Sequence, residues 1–286
     1  MAEYLRGYST IEAARLGAQA ASLEELLHGG SAFADGTHVL EAGCGVGAQT
    51  EVLARRHPGA RFTSVDISEA SLAHARARIA TAGIDRVSFL HADLLALPFD
   101  TGSFDHIFMN FVLEHCGNPA MALHGLHRVL RPGGTITVIE PDHTTTAFHP
   151  SSPATCSVYE GMVRAQAAMG GDGRIGHRLF PLLQEAGFHV EMVEPRVLYV
   201  DGRLPERVAA IIGGVVVPAL ETTRGNMIRL GGLTTSVADQ GLAEWRNLVA
   251  NPQCVFATTL FKALGRKSAA AAAVTTKPIG DGRKAK

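Results

Sequence analysis

The residues of this chain that could do chemistry fall into two groups. The first is a glycine run. Gly43, Gly45 and Gly47 alternate in VLEAGCGVG, residues 39–47. A turn built on them lets a ligand approach the backbone closely. A helix opening beyond that turn presents unsatisfied N–H groups, which favour a carboxylate or a phosphate. Glu41 stands two residues before the first glycine, and Asp66 follows after about 20 residues, the spacing at which an acid holds a ribose in a strand–turn–helix unit. The second group is Glu114, His115, Glu140, Asp142 and His143. Carboxylates beside imidazoles can take up and return protons near neutral pH. His143, His115 and Asp142 are the candidate catalytic residues. Asp142, His143 and His149 offer metal-binding atoms, but their spacing is not diagnostic of a metal site, and no metal is expected. Cys44, Cys116, Cys156 and Cys254 form no CxxC pair and read as reduced, buried thiols.

These residues depend on the elements that carry them. Residues 9–28 have helical periodicity, with Ser9 and Glu12 in the S-x-x-E form of a capping box and Gly29-Gly30 as the stop. The spacing then predicts strands over 38–43, 61–68, 86–93, within 104–115, and over 135–142. Helices fall between them at 48–57, 69–83 and 122–134. The alternation predicts an α/β domain, a parallel sheet with helices on both faces. Asp66 and Asp93 then end the second and third strands. Asn110 ends the fourth, and the His115–His143 group lies where the fourth and fifth end. Ligands of open α/β sheets bind at these carboxyl ends.

After Asp142 the rhythm breaks. A helical stretch over 158–169, a helix over 174–187, a sixth strand over 189–200, a mostly helical stretch over 203–250 and a seventh strand over 254–265 follow. The expected organisation is an N-terminal helical lid (1–37), a ligand-binding core (38–142), a helical insertion (143–173), a core continuation (174–202), a helical substrate insertion (203–250), a last core strand (251–266) and a disordered tail (267–286). Both insertions are expected over the same end of the sheet. The apolar run 209–220 is too short to span a bilayer and reads as a buried helix or a pocket wall.

On the glycines and Asp66 alone, a dinucleotide fold and a nucleoside-binding one stay open. Four further features tilt the choice. Glu41 precedes the loop, and a helix precedes the first strand. The segment HADLLALPFDTGSFDHIF resembles a "D-hydrophobic, L-P-F, S-F-D" signature. The segment NFVLEHCGNPAMALHGLHRVLRPGG resembles "L-E-H … L-R-P-G-G". Over about residues 38–140 the chain thus resembles the class I S-adenosylmethionine-dependent methyltransferases. The resemblance implies a Rossmann-like, seven-stranded, mostly parallel sheet with helical lid insertions, and S-adenosylmethionine as cofactor. It implies that Gly43, Gly45 and Gly47 approach the methionine portion, that Glu41 nears the ammonium or orders the loop, and that Asp66 accepts from the ribose hydroxyls with Ile67 on adenine. It further implies that Asp93 and Leu94 read adenine, that Asn110 faces the ammonium, and that His115 lies beside the cofactor. More loosely, the N-terminal segment resembles "G-Y-S … E-x-x-R-L-x-x-Q" of small-molecule members, in which Tyr4, Tyr8, Arg15 and Gln19 close over the cofactor.

The 286 residues carry a formal net charge of -1, with 46% hydrophobic and 19% charged residues. That balance argues against a basic nucleic-acid surface. The N-terminus has no apolar signal region, so a cytoplasmic protein without a membrane partner is expected; a homodimer is compatible with the sequence. Tyr159, Met162, Met169, Ile211, Ile212, Val215, Val216 and Trp245 make an apolar lid, which suits an aromatic, isoprenoid or acyl acceptor methylated at carbon, nitrogen or oxygen. The competing readings are a nicotinamide-dependent oxidoreductase and a catalytically silent binding protein of the same fold.

Overall fold

The structure, a computed structural model, describes Leu5 and residues 9–269. Strand β1 (His38–Ala42) pairs in parallel with β2 (Arg61–Asp66) on one side and β4 (Phe104–Asn110) on the other. Strand β3 (Val87–His91) extends the first side, and β5 (Leu130–His149) the second. Strand β7 (Val255–Arg266) runs antiparallel between β5 and β6 (His189–Asp201). The order β3-β2-β1-β4-β5-β7-β6 is a seven-stranded, mostly parallel sheet, as the sequence predicts. The chain starts in the middle at β1, moves outward, then returns beside it at β4. The crevice at this reversal is where open α/β sheets bind ligands.

The central strands explain their own placement. Val39, Leu40, Ile107, Phe108 and Met109 are all fully buried. A strand apolar on both faces is stable only when helices cover both sides. The crossover helices α3 (Ala48–Arg56), α4 (Glu69–Thr81), α5 (Pro119–Val129) and α7 (Leu179–Glu185) supply that cover.

The lid is built from α1 (Thr10–Ser22), α2 (Glu24–His28), α6 (Pro153–Ala168), α8 (Pro205–Val208), a π-helical segment Ala209–Val216, α9 (Val217–Arg229) and α10 (Thr235–Leu248). Helix α6 packs on α9 and α10, and α1 packs on the π-helical segment. Trp245 is fully buried where α10 meets α6 and donates its indole N–H to the Thr155 carbonyl at 3.1 Å. Tyr159 and Met162 of α6 and Ile211 and Val215 of the π-helical segment line one cavity together with residues that follow β2 and β4.

The structure moves several expected boundaries. The helix expected over 9–28 is two, broken at Leu23, whose backbone leaves helical geometry (φ -113°, ψ 8°). The helix expected over 122–134 starts at Pro119, capped by Asn118, and ends at Val129. Arg131 precedes Pro132, which disfavours the helical region there, and Leu130 instead pairs with Phe104. The insertion expected from residue 143 begins later. Ala147, Phe148 and His149 prolong β5 against β7, because a long antiparallel partner offers a ladder that a local reading cannot see. The first insertion helix opens at Pro153 with a capping box between Ser152 and Thr155. Finally, the run 209–220 is the middle of one 25-residue helical stretch, Pro205–Arg229, long and apolar enough by length and composition to cross a membrane. In this fold Ile211, Ile212, Val217 and Leu220 are buried in the lid. Most of the expected tail, residues 270–286, lies outside the described residues.

Candidate functional site

A cavity of about 600 Å³ opens at the carboxyl ends of β1, β2, β4 and β5 and reaches up under the lid. The glycine turn forms its floor. Gly43 and Gly45 adopt φ of +77° and +52°, the left-handed region that glycine tolerates. A Cβ on Gly43 would stand 2.5 Å from a Val112 methyl, so this position also needs the missing side chain for packing. A Cβ on Gly45 would meet no protein atom within 4 Å; its backbone faces the cavity. Gly47 does not line the cavity. It heads α3 and lies against Ala75 of α4, so its role is helix packing rather than the expected approach to the methionine portion.

One acid holds this turn and another ties together the elements on either side of it. Asp66 lines the cavity and accepts from the Gly45 N–H at 2.7 Å and the Ser68 N–H at 2.9 Å. Burial pushes its carboxyl above the usual range, partly offset by those N–H groups. Glu41 is buried beneath the turn and does not line the cavity. One of its oxygens accepts from Thr50 at 2.6 Å and Ser64 at 2.7 Å. Of the two roles expected of it, the geometry gives loop ordering and not ligand contact. Burial pushes Glu41 up to about 7.

Past β2, Ile67 lines the cavity and is partly exposed, and Asp93 and Leu94 line it after β3. Asp93 also caps the following turn, accepting from the Leu95 N–H at 2.9 Å. After β4 the chain turns sharply. Phe111 sits at φ +57°, a strained region for a bulky residue. Its N–H is spent on the Ile139 carbonyl at 2.9 Å. Glu140, wholly buried on β5, accepts from the N–H groups of Val112, Leu113 and Glu114 at 2.9, 2.7 and 3.2 Å. Burial first, then the charge of Glu114, pushes Glu140 up to about 8. This clamp aims Asn110 at the cavity. The Asn110 Oδ1 is buried with no hydrogen-bond donor from the protein. Such an orphan costs free energy unless a ligand supplies the donor.

The lid adds a cation. Arg15 on α1 lines the cavity, nearly fully buried. It makes a bidentate pair with Glu12, both contacts 2.7 Å, and donates to Gln19 at 3.2 Å. Tyr8 and Tyr4 lie outside the described residues.

The imidazoles meet on the opposite wall. His115 and His143 both line the cavity, and each has Nε2 facing the Glu114 carboxylate, at 3.6 and 3.5 Å. Gln166 of α6 donates to Glu114 at 2.7 Å, and His143 Nδ1 lies 2.9 Å from the Tyr159 hydroxyl. Asp142 is the exception among the candidate catalytic residues. Its carboxylate is buried, does not line the cavity, and is taken up by the Thr144 N–H and hydroxyl and by His177 Nδ1 at 2.6 Å. Burial would raise it, but these partners outweigh burial and hold it below the usual range. It shapes the bend in β5.

Of the expected lid residues, Tyr159, Met162, Ile211, Val215 and Val216 line the cavity, whereas Met169, Ile212 and Trp245 pack behind them. Glu12, Gln166, Phe111 and Thr258 are site residues that sequence reasoning did not assign. Glu12 and Arg15 carried a signal in their three-residue spacing. Gln166 and Thr258 carried none, since each reaches the site only through the fold. Among the described residues, no group of three His, Cys, Asp or Glu side chains is arranged to hold a metal ion.

Whether these residues suit S-adenosylmethionine can be judged from Asn110 and Gly45. A buried acceptor without a donor suits an ammonium, and a backbone open to the cavity suits close approach of an amino-acid moiety. The residues present fit: Gly43, Gly45, Asn110 and Arg15 would hold the methionine portion, and Asp66, Ile67, Asp93 and Leu94 the nucleoside.

Comparison with known proteins agrees with this arrangement. A family model described as a methyltransferase domain matches residues 40–138. A demethylmenaquinone methyltransferase from Clavibacter sepedonicus is 41% identical over 105 residues, 37% of this chain and 41% of that protein. The chain spans less than half the length of the curated relatives it matches. Among solved structures, the cyclase SpnF superposes with a TM-score of 0.58 at 19% identity, over 88% of this chain and 83% of that one. Haemonchus contortus phosphoethanolamine N-methyltransferase 2, solved with S-adenosylhomocysteine, does so with a TM-score of 0.54 at 16% identity, over 88% and 57%. Glycine turn, strand-end acids and strand order agree with that match: residues 40–138 carry a methyltransferase domain, and the sheet around them has the Rossmann-like fold of S-adenosylmethionine-dependent methyltransferases.

Proposed function

We propose that the protein transfers a methyl group from S-adenosylmethionine to a small, apolar acceptor held under its helical lid, leaving S-adenosylhomocysteine. The observation that carries this reading is one continuous cavity with two characters: the glycine turn, Asp66, Asp93 and Asn110 at one end, and Met162, Ile211, Val215, Leu220 and Phe256 at the other. Bound S-adenosylmethionine supplies a methyl carbon made electrophilic by the adjacent sulfonium. The chain's share is to bind, orient and exclude water. Arg15 and the α1 lid close one side, and the Glu140 clamp fixes the turn that carries Asn110 and His115. Aromatic and isoprenoid acceptors suit the apolar end. Sugars and nucleic acids do not, since their hydroxyls and phosphates would be buried unpaired. The same reading places the protein in the cytoplasm, acting on a small metabolite of a biosynthetic route without a membrane or nucleic-acid partner, with Pro205–Arg229 serving as a lid.

Calorimetry with S-adenosylmethionine, S-adenosylhomocysteine and NAD tests the cofactor. Binding of either sulfur nucleotide and not of NAD is expected, and NAD binding alone would refute the reading. Since one fold neighbour is named a cyclase, release of S-adenosylhomocysteine from a small-molecule panel is the measurement for turnover. Asp66→Ala should abolish most nucleotide affinity while the far-UV circular dichroism is unchanged. Unaltered affinity would place the ribose elsewhere.

A further inference from the structure

Met162, Ile211, Val215, Leu220 and Phe256 give the cavity under the lid an apolar wall, with a polar edge beside it. There, a chain of hydrogen bonds ends in the cavity at Tyr159 and Thr258. The Tyr159 hydroxyl is 2.9 Å from His143 Nδ1 and 2.8 Å from Thr146 Oγ1, which is 2.8 Å from Thr258 Oγ1. Behind it, His143 Nε2 is buried without a hydrogen bond among the described residues, and the Glu114 carboxylate stands 3.5 Å from it as an electrostatic neighbour. Glu114 is itself held by the Gln166 amide at 2.7 Å. A carboxylate beside Nε2 favours the tautomer with the proton on that nitrogen. Nδ1 then accepts the Tyr159 O–H, and the tyrosine oxygen accepts from Thr146. The result is an imidazole–phenol relay, with a carboxylate behind the imidazole, whose outer end touches the acceptor's space. The walls around it, Met162, Ile211, Val215, Leu220 and Phe256, offer no polar side-chain group. A second hydroxyl on an acceptor would be buried against these walls unpaired.

We propose that the acceptor is an apolar ring or chain bearing a single acidic hydroxyl, phenolic or enolic, and that Tyr159, backed by His143 and Glu114, receives its proton. This rests on the methyl-transfer reading and names its acceptor class and its base. The bond made is between the acceptor oxygen and the methyl carbon. The bond broken is the donor's sulfur–methyl bond, whose electron pair stays on sulfur and turns the sulfonium into a thioether. The hydroxyl proton passes to the Tyr159 oxygen as tyrosine's own proton moves to His143 Nδ1. An imidazolium is left beside the Glu114 carboxylate. Tyr159 is the catalytic residue, and His143 and Glu114 are positioning residues that act through it.

The probes are 2-naphthol and naphthalene, titrated into the full chain saturated with S-adenosylhomocysteine. The wild type should prefer 2-naphthol by roughly tenfold, the worth of one buried hydrogen bond. Tyr159→Phe should bind naphthalene as the wild type does but lose most of that preference. His143→Gln keeps an acceptor for the tyrosine O–H but no base. It should retain the preference while the naphtholate absorbance of the bound probe falls, a change that altered packing alone would not produce. Equal affinity for the two probes in the wild type, or an undiminished preference in Tyr159→Phe, overturns the inference. If the chain takes up no S-adenosylhomocysteine, the methyl-transfer reading fails and this inference with it. Uptake without naphthol preference sinks the inference alone.

Discussion

Replacing Glu41 by glutamine separates the two roles its position suggests. The side chain is buried beneath the glycine turn, and one oxygen receives both the Thr50 and Ser64 hydroxyls. A glutamine carbonyl can accept the same two bonds, so the shape of the loop is kept. What changes is ionisation. Burial raises the carboxyl from an ordinary 4.5 to about 7. A group held up in this way binds its proton more tightly folded than unfolded. Its stabilising share is complete below about pH 4.5 and is lost as pH rises through about 7. At about 1.4 kcal/mol per pH unit, that loss is on the order of 3 kcal/mol. Glu140, raised to about 8 by burial and by Glu114, acts with the same sign. The quantity to read is therefore the difference between wild type and Glu41→Gln. Urea unfolding at a series of pH values from 5 to about 8 should show wild-type stability falling more steeply than that of the variant. Affinity for S-adenosylhomocysteine at about pH 6 should be equal in the two proteins. Parallel pH profiles would refute the burial argument. A large loss of affinity with the fold intact would refute the assignment of Glu41 to loop ordering and make it a ligand contact.

Further outcomes follow from the same geometry. Asn110→Leu removes a buried acceptor that has no donor from the protein; the melting temperature should hold or rise, while nucleotide affinity falls by roughly tenfold, the scale of one hydrogen bond. A fall in both would mean that Asn110 is structural. Gly43→Ala and Gly45→Ala both place a side chain at positive φ, but only the first meets Val112 at 2.5 Å. Thermal unfolding should show Gly43→Ala as the more destabilised, whereas Gly45→Ala should chiefly lower nucleotide affinity. His28 is buried and lowered to about 4 by that burial. It contributes stability that is complete above about pH 6.5 and lost as pH falls through about 4, so His28→Gln should flatten the acid limb of the unfolding profile.

Much of this was legible in the chain itself. The alternation of short apolar runs with helical stretches is a local property, and it specified all seven strands with their crossovers. The glycines at 43 and 45 and the acids Asp66 and Asp93 are tied to strand ends, so their order along the chain carries them to one crevice. Asn110 was reachable for the same reason, and Arg15 through the resemblance of the N-terminal segment. What the sequence could not decide is which way a carboxylate turns once it is buried. Glu41, Asp142 and Glu140 stand beside the cavity in sequence, yet each turns away from it, because hydroxyls, an imidazole or three backbone N–H groups satisfy a buried carboxyl better than an apolar chamber does. The length of β5 and the polar edge formed by Glu114, His143, Tyr159 and Thr258 were equally hidden. They exist because β7 inserts antiparallel beside β5 and α6 folds back over it. The β5–β7 pairs join residues more than a hundred positions apart and the α6 contacts residues 13 to 52 apart, across a turn or a whole element, where no local periodicity carries information.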